Sequence, residues 1–174
     1  EYFETGSSSN IENFYYTSGA YEGDSALRLT YETQYDNTSN WYTATVRTQD
    51  SFPMERGTKV SFYYRTNSIQ SFSAKGMVGN NQIDLISETC DGNNWCHYEG
   101  YFDENDSFLN YEGQDIQLQF QISRQGAYTS SYALIDNIVI TTSNGSAIKL
   151  VDSEEAPGLV LTQSIETGEE MPEG

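Results

Sequence analysis

The chain has little positive charge. It has 8 Lys and Arg against 26 Asp and Glu in 174 residues, for a net charge of −18. A surface this acidic repels phosphate backbones and anionic lipid headgroups. We therefore expect no nucleic-acid partner and no membrane insertion, and the sequence contains no run of 18 apolar residues that would span a bilayer. The charge suits solubility, or Ca²⁺ binding by carboxylates.

Catalytic motifs are equally scarce. His97 is the only histidine, and the sequence has neither a Gly-x-Ser-x-Gly nucleophile motif nor a phosphate-cradling glycine loop. Acids are numerous enough for a glycosidase pair, but Asp103, Glu104 and Asp106 stand in a very polar segment that does not suit a general acid. The sequence therefore predicts a protein that is not an enzyme.

Cysteine is limited to Cys90 and Cys96, separated by a short segment that contains Gly92. A tetrahedral zinc site would need further Cys or His ligands, so we predict a disulfide. A disulfide indicates an oxidising compartment, and we expect a secreted or cell-surface protein. Because the chain begins at Glu1 rather than Met, we expect a processed or excised piece of a longer chain, acting there as a monomeric module.

Helical periodicity is absent, whereas many segments alternate between apolar and polar residues. In the segment 116–123, four apolar residues alternate with three glutamines and a serine, as in a strand with one solvated face. Predicted strands cover 1–6, 13–17, 25–32, 41–48, 58–66, 72–78, 82–87, 94–102, 116–123 and 132–141. This number of short strands predicts an all-β, antiparallel two-sheet β-sandwich over residues 1–142.

Beyond residue 142 the composition becomes acidic, with Lys149 as the one basic residue. We interpret 143–174 as an acidic edge segment or linker that is partly disordered towards its end. Its two short apolar runs, 148–151 and 159–161, would form a hairpin on a sheet edge or lead into another domain.

The longest strongly apolar segment is 132–141, which is rich in β-branched residues and free of Gly and Pro. It predicts a strand buried on both faces. Asp136 interrupts this strand. Because burying an isolated carboxylate costs several kcal/mol, we expect Asp136 to be paired, hydrogen-bonded or bound to a metal.

Three segments carry a resemblance to a known family: Phe3-Glu4-Thr5-Gly6, the glycine-containing stretch 18–29, and 132–138. Together they resemble the jelly-roll sandwiches of secreted, galactose-binding-like carbohydrate-binding modules and the related MAM-type adhesive domains. The chain lacks the spread of cysteines typical of MAM domains, so the resemblance to carbohydrate-binding modules is the stronger one.

The resemblance implies that the first and last strands lie side by side, with the glycine loop folded over them. It also implies a structural Ca²⁺, whose ligands would come from Glu4, Glu22, Asp24, Ser25 and Asp136. Oxygen ligands in a loop are those that Ca²⁺ prefers. The alternative is that Asp136 accepts hydrogen bonds from loop amides while Glu4 is solvated.

A second group of residues occupies the alternate positions that face outward on the predicted strands. If these strands belong to one sheet, that sheet displays a surface on which sugar rings stack on aromatic faces and hydroxyls bond to Gln and Arg. The alternative is ordinary cross-strand pairing on a solvated sheet. The residues of this surface are Arg28, Trp41, Arg47, Tyr63, Arg65, Lys75, Gln117, Gln119 and Gln121.

Loop aromatics form another candidate site at one end of the sandwich, made of Tyr35, Trp95, Tyr128 and Tyr132. Trp95, held by the disulfide, would alternatively plug the core. Taken together, we expect a non-catalytic module that recognises a polysaccharide or cell-surface glycan within a larger secreted enzyme or adhesin. The alternatives are a MAM-type domain that binds proteins or peptides, and a structural accessory domain of a secreted protease.

Overall fold

The computed structural model describes residues 3–5, 12–31, 41–125 and 131–150. These residues form twelve β-strands and two single-turn 3₁₀ helices. The strands are β1 (Phe3–Thr5), β2 (Glu12–Thr17), β3 (Ala26–Tyr31), β4 (Trp41–Thr48), β5 (Phe52–Pro53), β6 (Lys59–Asn67), β7 (Ser71–Val78), β8 (Asn81–Ser87), β9 (Cys96–Tyr101), β10 (Asp115–Gln125), β11 (Tyr132–Thr141) and β12 (Ala147–Leu150). The 3₁₀ helices span Phe102–Glu104 and Phe108–Asn110.

The strands make two six-stranded sheets in which every strand pair is antiparallel. The first sheet has the order β1-β4-β10-β7-β8, and β5 pairs with the beginning of β10. The second sheet has the order β2-β3-β11-β6-β9, and β12 pairs with the end of β11. The predicted all-β, two-sheet sandwich is therefore confirmed.

Because apolar and polar residues alternate along the strands, the apolar side chains face inward and fill the space between the sheets. The inward residues of β10, Ile116, Leu118, Phe120 and Ile122, are all fully buried. The ring of Phe62, from the second sheet, meets the edge of Phe120, from the first, with 5.1 Å between ring centroids. Interlocking aromatic rings from both sheets thus form the centre of the core.

The segment 103–114, predicted as a polar loop, does more than connect two strands. Its 3₁₀ turns bury Phe102 and Phe108 against the core. Backbone hydrogen bonds between Met54 and both Gly113 and Gln114 fasten it to the segment 52–58. Single apolar residues in polar surroundings give no periodic signal, so sequence patterning did not reveal these turns.

The apolar strand predicted at 132–141 is confirmed as β11, the central strand of the second sheet. On one side it pairs with β6 along most of its length. On the other side β3 pairs with Tyr132–Ile135 and β12 pairs with Ile138–Thr141. The gap between these partners adjoins a β-bulge between Asp136 and Val139, where Asn137 has φ 47°.

Strand β12 contains most of the apolar run predicted at 148–151, so this part of the acidic segment lies on the second sheet. The run 159–161 and the end of the chain lie outside the described residues. No helix in the described part of the chain is both long enough and apolar enough to cross a membrane.

Candidate functional site

The predicted polar surface is divided between opposite sides of the sandwich. Arg28, Tyr63 and Arg65 lie on strands of the second sheet, whereas the other six residues of this predicted surface lie on the first sheet. The condition that all these strands belong to one sheet is therefore not met. Alternation distinguishes the inner from the outer side of a strand, but it does not show to which sheet the strand belongs. The remaining first-sheet members are Trp41, Arg47, Lys75, Gln117, Gln119 and Gln121.

We call the outer side of β4, β10 and β7 the glutamine face. Cross-strand pairing arranges it in rows: Arg47–Gln119–Lys75, Thr45–Gln121–Ser73 and Thr43–Ser123–Ser71, with Trp41 beside Gln125 at one end. From Trp41 to Arg47 the face is roughly 20 Å long, given the rise of about 3.4 Å per strand residue. Its two middle rows consist only of residues with uncharged hydroxyl or amide groups, of which Thr45 is buried and the others are half-buried.

Two glutamines of this face are already hydrogen-bonded within the protein. Arg47 donates from Nε and a terminal guanidinium nitrogen to Gln119 Oε1, at 3.1 and 2.8 Å. Gln117 Nε2 donates to the carbonyl oxygens of Thr48 and Gln49. These bonds fix the two side chains, and they hold Arg47 flat along the face.

Gln121 differs from its neighbours along β10. Within the described residues its side-chain amide makes no hydrogen bond, although it stands at the centre of the face between Thr45 and Ser73. The amide can donate two hydrogen bonds and accept two. A central, half-buried amide of this kind is free to bond to a ligand's hydroxyl groups.

Trp41 is the most prominent aromatic residue on this side of the molecule. Its side chain is 60% exposed, and it makes no ring contact within the described ranges. An exposed aromatic ring of this kind can stack on the apolar face of a sugar. Trp41 therefore offers an unoccupied aromatic surface beside the uncharged rows.

The outer side of the second sheet is different, because the segment 18–25 folds over it. Asp136 is fully buried there, and its Oδ2 accepts hydrogen bonds from the backbone N–H groups of Tyr21 (2.7 Å) and Glu22 (3.0 Å). Its Oδ1 accepts a further bond from the N–H of Asn137 at 2.6 Å. The carboxylate thus ties the glycine loop to the second sheet.

This geometry bears on the predicted calcium site. Strand β1 pairs with β4 in the first sheet, so Glu4 is not on a strand beside β11, and the expectation that the first and last strands lie side by side was wrong. Glu22 and Asp24 are exposed, Ser25 is half-buried, and the described residues contain no cluster of three or more acidic, His or Cys side chains that could hold a metal. Calcium therefore stays a prediction.

The glycine loop brings an aromatic cluster together on the second sheet. Tyr21 stacks on Tyr63 with 3.6 Å between ring centroids, and Trp95 meets Tyr21 edge-on at 6.0 Å. His97 lies against Tyr63 at 4.5 Å. The hydrogen bond with Tyr21 raises the pKa of the Tyr63 phenol above its usual value, and desolvation raises it further. We call this cluster, with the neighbouring Arg65, the aromatic face.

Sequence reasoning missed Tyr21 and His97 as members of this face. Tyr21 was assigned to a loop and His97 to a strand, and neither was given a role in binding. The available signal was Tyr21 itself, a large aromatic residue between Gly19 and Gly23 in a loop that a buried acid was expected to hold.

The predicted disulfide joins Cys90 and Cys96. Its loop is also fixed to β6, because Thr66 N–H donates to the Cys90 carbonyl at 2.7 Å and Cys90 N–H donates to Thr66 Oγ1 at 2.9 Å. Trp95 lies at the end of this loop and is half-buried against other side chains of the outer surface rather than plugging the core. Tyr35 and Tyr128, its proposed partners, lie outside the described residues.

No protein-family model and no curated protein matches the sequence. Solved structures do match the fold. TmCBM61, described in complex with β-1,4-galactotriose, is 12% identical with a TM-score of 0.50, over 79% of this chain and 86% of that one. The glycoside hydrolase domain of Endo-D from Streptococcus pneumoniae R6 is 12% identical with a TM-score of 0.53, over 76% of this chain.

The match to Endo-D covers only 20% of that chain's length. A family 30 carbohydrate-binding module is also similar, at 14% identity and a TM-score of 0.46, over 82% of this chain and 92% of that one. At these identities the likeness establishes the fold alone. The chain has a jelly-roll sandwich like that of carbohydrate-binding modules.

Proposed function

We propose that this protein is a non-catalytic carbohydrate-binding module of an extracellular protein, and that the glutamine face holds the saccharide. The observation that carries the proposal is the combination of Trp41, exposed and without ring contacts among the described residues, with half-buried hydroxyl and amide groups on the outer side of the same sheet. Sugar rings present both apolar faces and many hydroxyls, so they match both parts.

The rigidity of the face supports the same function. The hydrogen bonds between Arg47 and Gln119, and from Gln117 to the backbone, fix these side chains before a ligand arrives. A ligand that meets fixed groups loses less conformational entropy in binding. The length of the face, roughly 20 Å, suits an extended oligosaccharide better than a single sugar.

Three further observations support the proposal. The fold likeness includes TmCBM61, whose structure was determined with β-1,4-galactotriose. The Cys90–Cys96 disulfide supports an oxidising, extracellular setting. The fold likeness to the Endo-D domain suits an accessory part of a larger enzyme.

The test uses the two tryptophans, Trp41 and Trp95, which lie on opposite faces. Their indole N–H signals in a ¹H–¹⁵N spectrum therefore report on each face separately. Titration with β-1,4-galactotriose, and then with a panel of neutral oligosaccharides, should shift the Trp41 signal. Because Trp41→Ala removes this signal, its affinity is measured by isothermal titration calorimetry. The variant should bind at least tenfold more weakly, about 1.4 kcal/mol, without a lower melting temperature, because the side chain is exposed.

Gln121→Ala should weaken the same binding by a smaller factor, roughly the loss of one hydrogen bond or about 1 kcal/mol. Gln114→Ala, whose amide bonds to Asn110 in the 3₁₀ segment, is the matched control and should have no effect. If no glycan of a broad array binds and Trp41→Ala changes nothing, the carbohydrate function is wrong. A MAM-type, protein-binding role would then be the alternative to pursue.

A further inference from the structure

We infer that the aromatic face carries a second binding site, which takes a saccharide bearing a single carboxylate, such as a uronic acid end or branch. The inference rests on the proposed carbohydrate function for its ligand class, but it uses different residues on the opposite sheet. Arg65 would bind the carboxylate, and the rings of Tyr21 and Trp95 would contact the sugar.

The first argument concerns Arg65. This protein has 26 acidic and 8 basic side chains, so a basic residue has acidic neighbours in excess. On the same sheet Lys59 pairs with Glu99 at 3.2 Å. Arg65, in contrast, makes no ion pair or hydrogen bond within the described part of the chain. Its guanidinium lies over the ring of Trp95, 5.4 Å from the ring centroid.

The second argument concerns the charge around Arg65. In the cross-strand row on β3, β11 and β6, Leu134 stands between Arg28 and Arg65. The Cα atoms of the two arginines are roughly 10 Å apart, two strand spacings. The guanidinium of Arg28 also lies over an aromatic ring, that of Tyr132 at 3.9 Å. The residues that share this cross-strand row with Arg65, Leu134 and Arg28, carry no negative charge.

The third argument is that contacts within the protein fix the positions of both aromatic residues, Tyr21 and Trp95. The N–H of Tyr21 donates to buried Asp136, which fixes the loop at that residue. Trp95 lies within the disulfide loop, whose other end is hydrogen-bonded to Thr66. Tyr21 nevertheless remains 46% exposed, so its ring is available to a ligand. Fixed but exposed rings lower the entropic cost of binding.

The chemistry of these groups selects the ligand class. An arginine fork binds a carboxylate with two parallel hydrogen bonds, and flat aromatic rings stack on a pyranose. The net charge of −18 repels a continuous polyanion such as polygalacturonate. A saccharide that is neutral except for one isolated carboxylate can bind the arginine and stack on the rings, and it avoids the repulsion that a polyanion meets.

The experiment compares xylotriose carrying one methylglucuronic acid branch with unbranched xylotriose, again by the two indole N–H signals. The branched compound should shift the Trp95 signal, and the unbranched one should not shift it. Arg65→Gln should weaken the effect at least tenfold, and Arg65→Lys should weaken it by an intermediate factor because the planar fork is lost. Arg56→Gln, on an exposed arginine paired with Glu112, is the matched control.

Equal shifts of Trp95 with both compounds, no shift with either, or a shift that Arg65→Gln leaves unchanged would each overturn the inference. If Arg65→Gln fails to fold, the wild-type preference for the branched compound and the Arg65→Lys titration decide the question. Loss of the Trp41 response to neutral glycans, with the Trp95 response to the carboxylate retained, would refute the glutamine-face site and leave this one standing.

Discussion

Strands of similar alternation build both outer faces of the sandwich, but the two faces are covered differently. On the first sheet, outward residues of β10 such as Gln117 and Gln121 remain polar and partly exposed. On the second sheet the glycine loop folds over the strands, so the outward positions Ala26, Leu134 and Asp136 are buried. The buried outward positions of the second sheet are thus either apolar, as Ala26 and Leu134 are, or polar with hydrogen bonds to the covering loop, as Asp136 is.

The same difference separates the two candidate sites. The glutamine face is a continuous sheet surface whose side chains hold one another. The aromatic face is assembled from two loops, and buried contacts to Asp136 and the disulfide keep those loops in place. The aromatic face should therefore be far more sensitive to loss of a structural anchor than the glutamine face.

The largest expected effect is that of Asp136→Ala. The substitution leaves the N–H groups of Tyr21, Glu22 and Asn137 without their carboxylate partner. We expect a loss of about 3 kcal/mol in the free energy of unfolding, or roughly 6–12 °C in melting temperature. Thermal unfolding followed by circular dichroism measures the change.

Asp136→Asn, which retains one oxygen acceptor, is the control and should lie between the wild type and Asp136→Ala. In folded Asp136→Ala protein at low temperature, the Trp95 signal should broaden or shift while the Trp41 signal stays in place. Equal disturbance of both signals would contradict the independence of the two faces.

A smaller effect is expected from removing the disulfide. On the chain-entropy model, closing so short a loop contributes about 2 kcal/mol. The double substitution Cys90→Ser/Cys96→Ser should lower the free energy of unfolding in urea by this amount. It should also weaken carboxylate binding at Trp95 and leave neutral-glycan binding at Trp41 unchanged. Loss of neutral-glycan binding in a folded variant would show that the faces are coupled.

The smallest effect is expected from chelation. Because Asp136 already accepts three N–H hydrogen bonds from the described residues, we expect these bonds to hold the glycine loop without a cation at this position. EDTA should change the melting temperature much less than Asp136→Ala does. If EDTA lowered the melting temperature by a comparable amount and added Ca²⁺ reversed this, the predicted calcium site would be supported. Its ligands would then have to include residues outside the described ones.

Much of the fold was predictable from sequence, because alternation is a local property. The bounds of β4 and β11 were predicted to the residue, and most of the other strands to within one or two residues. The single-turn 3₁₀ helices were not predicted, because a turn that buries one phenylalanine leaves no periodic pattern. The sequence predicted a set of candidate residues but not where they lie on the sandwich. Alternation along a strand does not show to which sheet the strand belongs.

The sequence by itself determined that this chain is an acidic, all-β sandwich with a disulfide, and that Asp136 needs a partner. Each of these follows from composition, local alternation or the cost of burying a charge. Only the tertiary structure decided that Asp136 satisfies loop amides, and that the arginines and tryptophans divide between two opposite faces. Those outcomes depend on which distant strands pair and which loop covers them, and long-range pairing leaves no mark in local periodicity.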